Sequence, residues 1–362
     1  MASLRELAER AAELRLSALR RVSRSVFRSE RAAGLRRLLL RGRATDVAEG
    51  LDPDIALMLV LAGATGNGEL TAATPDKARR HMLEGIRLSE EMPEEPVDVR
   101  DVEVTGAAGL LPARLYEPAG DARLERGSRG LVFIHGGGWV TGDLETHDTL
   151  CRRLAIHGRM RVLAVCPRLA PEHPFPAAVL DSIAAFRDVA ARAESFGIDP
   201  KRLGIGGDSA GGNLSAVTGL ATRGDARKPA LTLLIYPATD ATRTRQSHTT
   251  RGDGYLLTRE TMAWYMDHYL GGADVSRIDP RLSPLWEKDV SGAPPAIVVV
   301  AGFDPLVDEG VAYAERLQDA GVPTELMRFE SLPHGFALMT GIVPAAMDAT
   351  VALAKRAGAT LG

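Results

Sequence analysis

Ser209 is the residue whose surroundings most favour nucleophilic chemistry. It is the central residue of Gly207-Asp208-Ser209-Ala210-Gly211, between an apolar run at residues 203–206 that predicts a strand and a helical pattern at residues 213–221. A turn this sharp strains the serine backbone and exposes its Oγ, while glycines at 207 and 211 leave room for neighbouring elements. N–H groups at the helix N-terminus favour negative charge, so the segment predicts a nucleophile beside part of an oxyanion hole. A plain flexible glycine loop is the alternative.

A second segment offers hydrogen-bond donors. His135-Gly136-Gly137-Gly138-Trp139 directly follows an apolar run at residues 131–134 that predicts a buried strand. Successive glycines let the backbone turn several N–H groups toward one point, as acyl transfer requires for the oxygen of its tetrahedral intermediate. We predict that the donors are Gly136, Gly137 and Ala210. His135, Gly138 and Asp208 are predicted to support the two loops, with the Asp208 carboxylate directed away from the site. A glycine triplet is more often a plain flexible loop, but its position directly after a buried strand shifts the balance toward the donor role.

A carboxylate and an imidazole complete the set. Asp304 follows the most apolar predicted strand, residues 296–301, where a rigid carboxylate could orient an imidazole. Its alternative role is to cap the next helix, although Asp308 is the more natural cap. Of the eight histidines, only His334 follows a late predicted strand, and a neutral imidazole can act as a general base. The chain order Ser209, Asp304, His334 is the order that a sheet of this kind requires for a serine–histidine–acid triad.

The elements that must position these residues predict a parallel sheet. Residues 97–104 and 111–116 are typical of a strand pair, and from residue 131 onward apolar runs alternate with helical patterns. Near-continuous apolar strands between helices indicate a mostly parallel sheet that is covered on both faces. Ligands of such sheets bind beyond the carboxyl ends of the strands, where all the reactive segments leave the sheet. The predicted fold class is therefore α/β.

Two regions depart from this alternation. Residues 1–92 contain helical patterns without strands, and we predict that they form a helical cap region ahead of a catalytic domain at residues 93–362. Asp52-Pro53 and Thr74-Pro75-Asp76 are predicted helix starts. A long insertion at about residues 237–295 carries Trp264, Tyr265 and Trp286. We expect these aromatic side chains to offer an apolar surface to the cap.

Residues 1–43 differ from the rest of the chain in charge. Their 12 arginines and four glutamates give a net charge of +8, whereas the whole chain carries −3. Apolar residues recur there at helical spacing, which predicts an amphipathic helix with a basic face. Two interpretations remain open: the helix docks on its own protein, or it associates weakly with an anionic membrane.

Composition and patterning exclude several classes of protein. A net charge of −3 gives no reason to expect a nucleic-acid partner, and no apolar run approaches the ~18 residues of an integral membrane span. Cys151 and Cys166 are predicted to be free thiols because two cysteines in apolar segments do not make a disulfide framework. The N-terminus lacks the apolar core of a signal peptide, so a cytoplasmic location is expected. No metal site is expected, and a homodimer is compatible with the sequence.

Five segments together resemble the hormone-sensitive-lipase family of α/β-hydrolases, which includes the bacterial family IV carboxylesterases. They are HGGGW at 135–139, RLAPEHPFPA at 168–177, GDSAGGN at 207–213, DPLVDEG at 304–310 and HGF at 334–336. The resemblance spans residues 97–355 and implies an eight-stranded mixed sheet, an N-terminal helical cap, ester hydrolysis and no cofactor. It makes Ser209 the nucleophile, His334 the base and Asp304 its orienting acid. The family usually has Asp-Tyr before RLAPE, where this chain has Cys166-Pro167.

The expected substrates are small-molecule carboxylic esters. A helical cap over the site favours short-to-medium acyl chains. An amidase or deacylase with the same triad is an alternative, because its acid–base needs are similar. A non-catalytic ligand receptor on the same fold is less favoured, because such receptors typically lose a triad member and this chain keeps all three.

Overall fold

The apolar segments of the sequence form a single eight-stranded sheet. The structure, a computed structural model, describes residues 49–65 and 74–362. Its strands in chain order are β1 Val97–Gly106, β2 Gly109–Pro118, β3 Ser128–Ile134, β4 Arg161–Val165, β5 Ile198–Asp208, β6 Thr232–Ile235, β7 Ala296–Phe303 and β8 Thr324–Pro333. Their order across the sheet is β1-β2-β4-β3-β5-β6-β7-β8. Strand β2 is antiparallel to β1 and to β4, and every other neighbouring pair is parallel. The predicted mostly parallel sheet of the α/β-hydrolase type is confirmed.

Helices cover both faces of this sheet. In chain order they are α1 Pro53–Thr65, α2 Pro75–Ser89, α3 Asp148–Gly158, α4 Ala177–Ala191, α5 Ala210–Ala221, α6 Ser247–Thr250, α7 Arg259–Leu270, α8 Val307–Asp319 and α9 Pro344–Thr360. Successive side chains of a strand point to opposite faces. Phe133 accordingly packs with α3 and α9 in one core cluster, whereas Val132 and Ile134 pack with α4 and α5 in another. The central strands β3, β4, β6 and β7 are buried on both sides over most of their length, so their sequences are largely apolar without alternation, whereas the edge strand β1 alternates between apolar and polar residues.

Several strands extend beyond the apolar runs that predict them, and β5 and β8 show this most clearly. Strand β5 begins at Ile198, which pairs with Ser128 of β3 ahead of a register shift. Strand β8 continues to Pro333, which pairs with Phe303 of β7. Both extensions contain polar residues, so an apolar run alone marks only the buried middle of each strand. The helical patterns of the sequence predict helices at residues 177–191 and 210–221, and α4 and α5 have these limits.

Helices α1 and α2 precede the sheet in the chain. Asp52 caps α1 as predicted, because its Oδ1 accepts the N–H groups of Asp54 and Ile55. Pro75 occupies the first turn of α2, but Thr74 makes no capping hydrogen bond through its side chain, contrary to the prediction. Ile55 is fully buried in the core cluster that α3 and α9 form with the sheet. Helix α1 is thus anchored in the core of the sheet domain.

The insertion at residues 237–295 contains α6 and α7. The Tyr265 hydroxyl lies 3.1 Å from Thr141 Oγ1, just beyond the glycine segment, and Trp264 packs edge-to-face on the Tyr265 ring. Trp286 is 42% exposed, and its Nε1 donates to Asp240. The expectation that all three aromatic residues form one apolar surface is therefore wrong for Trp286.

Three sequence-based expectations concern the rest of the chain. Cys151 and Cys166 are free thiols as predicted, the first buried and the second partly buried. Within residues 49–65 and 74–362, no helix combines the length and apolar character needed to cross a membrane. The predicted basic helix at residues 1–43 lies outside the described residues.

Candidate active site

Ser209 stands at the turn between β5 and α5. Its backbone is strained, with φ 54° and ψ −117°, a conformation that turns Oγ away from the sheet. A Cβ at Gly207 would lie 2.3 Å from the carbonyl oxygen of Ile134, and a Cβ at Gly211 would lie 2.0 Å from the same atom. Only glycine fits at both positions, so the spacing of the motif follows from the close approach of β3 to this turn.

Three side chains that follow three strands meet at this turn. His334 Nε2 lies 2.9 Å from Ser209 Oγ, and His334 Nδ1 lies 2.7 Å from Asp304 Oδ2. Asp304 is fully buried, and its Oδ1 accepts the N–H of Leu306 at 2.8 Å. The structure thus brings together Ser209, Asp304 and His334. Asp304 both contacts the imidazole and stabilises the turn into α8, so the two roles weighed from the sequence coexist.

The expectation that Asp308 caps α8 is wrong. Helix α8 begins at Val307, and the residue at its cap position is Leu306. Asp308 Oδ2 instead accepts the N–H of Ser247 at 2.8 Å, at the start of α6. Its carboxylate therefore joins the insertion to α8 and does not approach the imidazole.

The set of backbone donors differs from the prediction at Gly136. Its N–H donates to Asp208 Oδ1 at 2.8 Å, and Gly136 does not line the cavity that contains Ser209. Because this N–H already has a carboxylate acceptor, it is not available to a substrate. Gly137, Gly138 and Ala210 do line the cavity. Within the part of the chain that the structure describes, none of these three residues donates its N–H to a protein acceptor. The candidate donors are accordingly Gly137, Gly138 and Ala210.

The glycine loop lies between a backbone carbonyl and an aromatic side chain. Gly137 and Gly138 have φ values of 108° and 59°, in the left-handed region that disfavours other residues. A Cβ at Gly137 would lie 2.3 Å from the carbonyl oxygen of Thr141, and one at Gly138 would lie 2.2 Å from Cγ of Tyr265. The loop therefore has little room to move, in contrast to the flexible-loop alternative.

A buried group of His135, His147 and Asp208 lies against the glycine loop. His147 Nε2 is 3.1 Å from Asp208 Oδ1, and His135 Nδ1 is 2.8 Å from the carbonyl oxygen of Gly136. Burial alone would raise the pKa of Asp208, but His147 and the Gly136 N–H hold it below its usual value. Burial and the neighbouring His147 lower the pKa of His135 to about 4. Asp208 is therefore an anion that anchors the glycine loop, which is the supporting role predicted for it. Its contact with His147 was not predicted, because His147 belongs to no motif.

Replacing Asp208 by asparagine is expected to destabilise the fold more than it impairs turnover. Asparagine can still accept the Gly136 N–H but loses the charge that faces His147, whereas Asp208→Ala leaves the buried N–H without an acceptor. An unpaired buried donor costs about 1–3 kcal/mol. We expect the free energy of unfolding in urea to fall in the order wild type, Asp208→Asn, Asp208→Ala. A folded Asp208→Asn protein as inactive as Ser209→Ala would contradict this role.

Ser209 and His334 face a cavity of about 620 Å³. Most of its wall is apolar and comes from α1, α2 and α7, including Met58, Met82, Ile86, Met262, Tyr265 and Met266. A smaller polar part is contributed by Asp240, Arg243, His248 and Glu309. This size and mixture are typical of sites for small organic molecules. Among residues 49–65 and 74–362, no group of three or more histidine, cysteine, aspartate or glutamate side chains is arranged to hold a metal ion.

The end of α2 is fastened to the loop that follows His334. Glu90 Oε1 accepts the Thr340 N–H at 2.8 Å, and Glu90 Oε2 accepts the Thr340 hydroxyl at 2.6 Å. Ser89 Oγ donates to the carbonyl oxygen of Leu338 at 2.8 Å. Because α2 lines the cavity, these contacts couple one cavity wall to the loop that carries His334.

Glu90→Gln is expected to weaken the pH dependence of stability. Burial raises the pKa of Glu90 from 4.5 to about 7, against the hydrogen bonds from Thr340. At pH values between 4.5 and about 7, Glu90 is protonated in the folded protein and deprotonated in the unfolded chain. The free energy of unfolding therefore falls as pH rises through this interval, by at most about 3 kcal/mol from this group. Glutamine does not ionise, so urea unfolding at about pH 5 and pH 8 should show a smaller loss in the variant. Equal losses in both proteins would contradict the assignment.

Comparison with known proteins places these observations in a family. Residues 131–338 match the family profile described as the α/β-hydrolase fold. The carboxylic ester hydrolase LipN of Mycobacterium tuberculosis is 44% identical over 308 residues, which cover 83% of this chain and 81% of that protein. The ethyl acetate hydrolase of Pseudomonas putida is 40% identical over 308 residues, covering 83% of this chain and 96% of the relative.

Solved structures give the same result. An ester hydrolase from the metagenome of Lake Arreo, in complex with a bipyridine phosphonate derivative, is 41% identical with a TM-score of 0.81 and covers 85% of this chain and 98% of its own. The hyperthermophilic esterase of the archaeon Pyrobaculum calidifontis is 34% identical with a TM-score of 0.80 and the same coverage of 85% and 98%. The identity, the coverage and the matched profile agree with the geometry around Ser209. The chain belongs to the α/β-hydrolase family, in its hormone-sensitive-lipase group.

Proposed function

We propose that the protein hydrolyses carboxylic esters through a covalent acyl-enzyme on Ser209. The observation that carries this proposal is the hydrogen-bonded series Asp304–His334–Ser209 at the wall of a largely apolar cavity. The names of the relatives, which are ester hydrolases, support it. Each of the three side chains has one role in the two half-reactions.

In the first half-reaction, Ser209 Oγ forms a bond to the carbonyl carbon of the ester. His334 Nε2 accepts the serine proton, and Asp304 holds the proton on Nδ1 and stabilises the imidazolium. The carbonyl electrons move onto the oxygen, which accepts hydrogen bonds from N–H groups of the glycine loop and of Ala210. Each such donor increases the rate by a factor of about 10²–10³. The tetrahedral intermediate then expels the alcohol, which takes the proton from His334.

In the second half-reaction, water attacks the acyl-enzyme. His334 Nε2 accepts a proton from the water, and a second tetrahedral intermediate forms. Its oxyanion accepts hydrogen bonds from the same N–H groups. Collapse of the intermediate breaks the bond to Ser209 Oγ and returns the proton to the serine. The products are a carboxylic acid and the free enzyme.

The cavity wall formed by α1 and α2 acts as a cap over the site. Met58 of α1 and Met82 and Ile86 of α2 line the cavity that contains Ser209. Exclusion of water by these side chains strengthens the interaction between the N–H donors and the oxyanion. A cavity of about 620 Å³ favours short-to-medium acyl chains over long ones.

Hydrolysis of 4-nitrophenyl esters with acyl chains of graded length tests the proposal, with Ser209→Ala as the control. The expected kcat/KM is highest for short-to-medium chains. A matched 4-nitroanilide tests the amidase alternative, because the two substrates differ only in the leaving atom. A folded protein that turns over neither ester nor anilide would contradict the proposed function and favour the receptor alternative.

Assembly and location remain predictions from the sequence. They comprise a cytoplasmic location, a homodimer, and docking or weak membrane association of residues 1–43. Sedimentation velocity of the purified chain measures the oligomeric state. Co-sedimentation with anionic liposomes, compared between the full chain and a chain without residues 1–43, measures the membrane interaction.

A further inference from the structure

The cavity that contains Ser209 is also lined by an arginine without a counter-ion. Arg243 is partly buried, and its Nη2 donates to the carbonyl oxygen of Met262 at 2.6 Å. Among the described residues, no carboxylate oxygen lies within 4.0 Å of its guanidinium. Burial, and to a smaller extent the charge of Arg277, lowers the pKa of Arg243. The carboxylates of Asp267 and Glu309 act on its pKa in the opposite direction, but neither is in ion-pair contact with it. The cation has therefore lost part of its hydration without a carboxylate in direct contact.

The other ionisable groups of this polar part have partners. His248 Nε2 lies 2.7 Å from Glu309 Oε2, and Arg245 Nε lies 3.5 Å from Asp240 Oδ2. Each pair is close to neutral in total, wherever its proton resides. Arg243 therefore carries a positive charge that these pairs do not balance.

The segment before Arg243 is rigidly held. Glu309 Oε1 accepts the N–H groups of Thr239 and Asp240 at 2.6 and 3.2 Å, and Asp240 Oδ1 accepts the N–H of Thr242 at 3.0 Å. Arg243 itself has φ 57°, a left-handed conformation that is strained for any residue other than glycine. Strain of this kind persists only where the surroundings impose it, and it is concentrated at functional sites. The backbone at Arg243 is thus held in place, and the Met262 carbonyl oxygen holds the guanidinium.

This segment begins beside the nucleophile. The Ala238 N–H donates to the backbone carbonyl of Ser209 at 3.3 Å, and Arg243 follows a few residues later. Even a fully extended chain over that interval spans at most about 18 Å. An ester group at Ser209 and an anionic group at Arg243 can therefore belong to one substrate of medium length.

We propose that Arg243 binds a carboxylate of the substrate, so that the preferred esters carry a free carboxylate at the end of the acyl or the alcohol part. This inference rests on the proposed ester hydrolysis and names its substrate class. A guanidinium presents two parallel N–H donors to a carboxylate, which gives both charge and shape recognition.

Two matched pairs of esters test the proposal. The acyl-side pair is mono-4-nitrophenyl suberate and 4-nitrophenyl octanoate, and the alcohol-side pair is the butyrate esters of 6-hydroxyhexanoate and of 1-hexanol. The readout is the ratio of kcat/KM for the anionic ester to kcat/KM for its neutral partner. In the wild type we expect this ratio to be at least one in one pair, although the cavity is largely apolar. A ratio well below one in both pairs would overturn the proposal.

Variants then assign the preference to the guanidinium. Arg243→Met is expected to lower the ratio in the same pair by about 30-fold or more, the usual effect of removing one member of a desolvated charge pair. Arg243→Lys keeps the charge and should retain part of the ratio. In Arg243→Gly, glycine adopts φ 57° without strain, so this variant removes the charge without straining the backbone. Unchanged ratios in the methionine and glycine variants would overturn the proposal.

The control variant is Arg259→Met. Arg259 lies in the same insertion, is paired with Asp253 and does not line the cavity. We expect it to keep the wild-type ratio, and a loss equal to that of Arg243→Met would contradict a specific role for Arg243. Failure of the wild type to hydrolyse any of the four esters would contradict the proposed function itself, which separates the two outcomes.

Discussion

Ser209→Ala is expected to lower kcat for ester hydrolysis by about 10⁶-fold, the usual effect of removing a serine nucleophile. The variant lacks the hydroxyl oxygen that lies 2.9 Å from His334 Nε2 and that forms the acyl-enzyme in the proposed mechanism. Alanine adds no volume, and the contacts of Gly207 and Gly211 with β3 do not involve the serine side chain. The melting temperature should therefore stay close to that of the wild type. Steady-state hydrolysis of a short-chain 4-nitrophenyl ester measures the loss.

A covalent probe provides the control for this prediction. A reactive alkyl phosphonate ester should label the wild type at Ser209, and mass spectrometry of the digested protein locates the adduct. The alanine variant should remain unlabelled, and it should release no burst of nitrophenolate when it is mixed with the 4-nitrophenyl ester. Retention of a tenth of the wild-type rate, or labelling of another residue, would show that the nucleophile lies elsewhere.

The sequence predicts the position of the triad because the fold is regular at that edge. Ser209 and Asp304 follow strands that are largely buried, His334 follows the edge strand β8, and parallel strands bring their carboxyl ends to one edge of the sheet. The ends of β5 and β7 at Asp208 and Phe303 immediately precede Ser209 and Asp304. Local apolar patterning and the parallel arrangement were thus sufficient for this part of the site.

The donors of the glycine loop could not be predicted in the same way. Gly136, Gly137 and Gly138 are identical in type and adjacent in sequence, so no pattern tells which N–H faces the substrate. The choice depends on Asp208, which is 72 residues from Gly136 in the chain and accepts its N–H. Sequence periodicity indicates local secondary structure, so it does not indicate a contact between a side chain and a backbone group 72 residues away.

Contacts of Glu90 and Arg243 were missed for a related reason. Glu90 is 250 residues from Thr340, and its burial depends on how α2 packs on the loop after His334. Arg243 is one of many arginines, and it differs from the others in the insertion by facing the cavity without a carboxylate partner. Charge type is visible in a sequence, whereas the presence or absence of a partner depends on three-dimensional packing. Trp286 shows the converse, since an aromatic residue in a functional insertion can simply be exposed.

Asp304→Asn is the second prediction with a large expected effect, a loss of about 10⁴-fold in kcat with the fold retained. Asp304 Oδ2 accepts the Nδ1 proton of His334, which leaves Nε2 without a proton and able to accept one from Ser209. An asparagine whose Oδ1 keeps the Leu306 N–H would present its amide N–H groups to Nδ1. The imidazole would then carry its proton on Nε2 and could not act as the base. The loss should appear in kcat more than in KM, because substrate binding does not involve Asp304.

Asp308→Asn is the matched control for this prediction. Asp308 is four residues further along the chain, and its Oδ2 accepts the Ser247 N–H, a contact that an asparagine oxygen can preserve. The control should therefore change the free energy of unfolding by less than about 1 kcal/mol and leave kcat close to the wild-type value. Comparing kcat and urea unfolding of the two variants separates loss of the imidazole partner from general damage to the turn. If Asp308→Asn lost more activity than Asp304→Asn while remaining folded, the orienting acid would have to be reassigned.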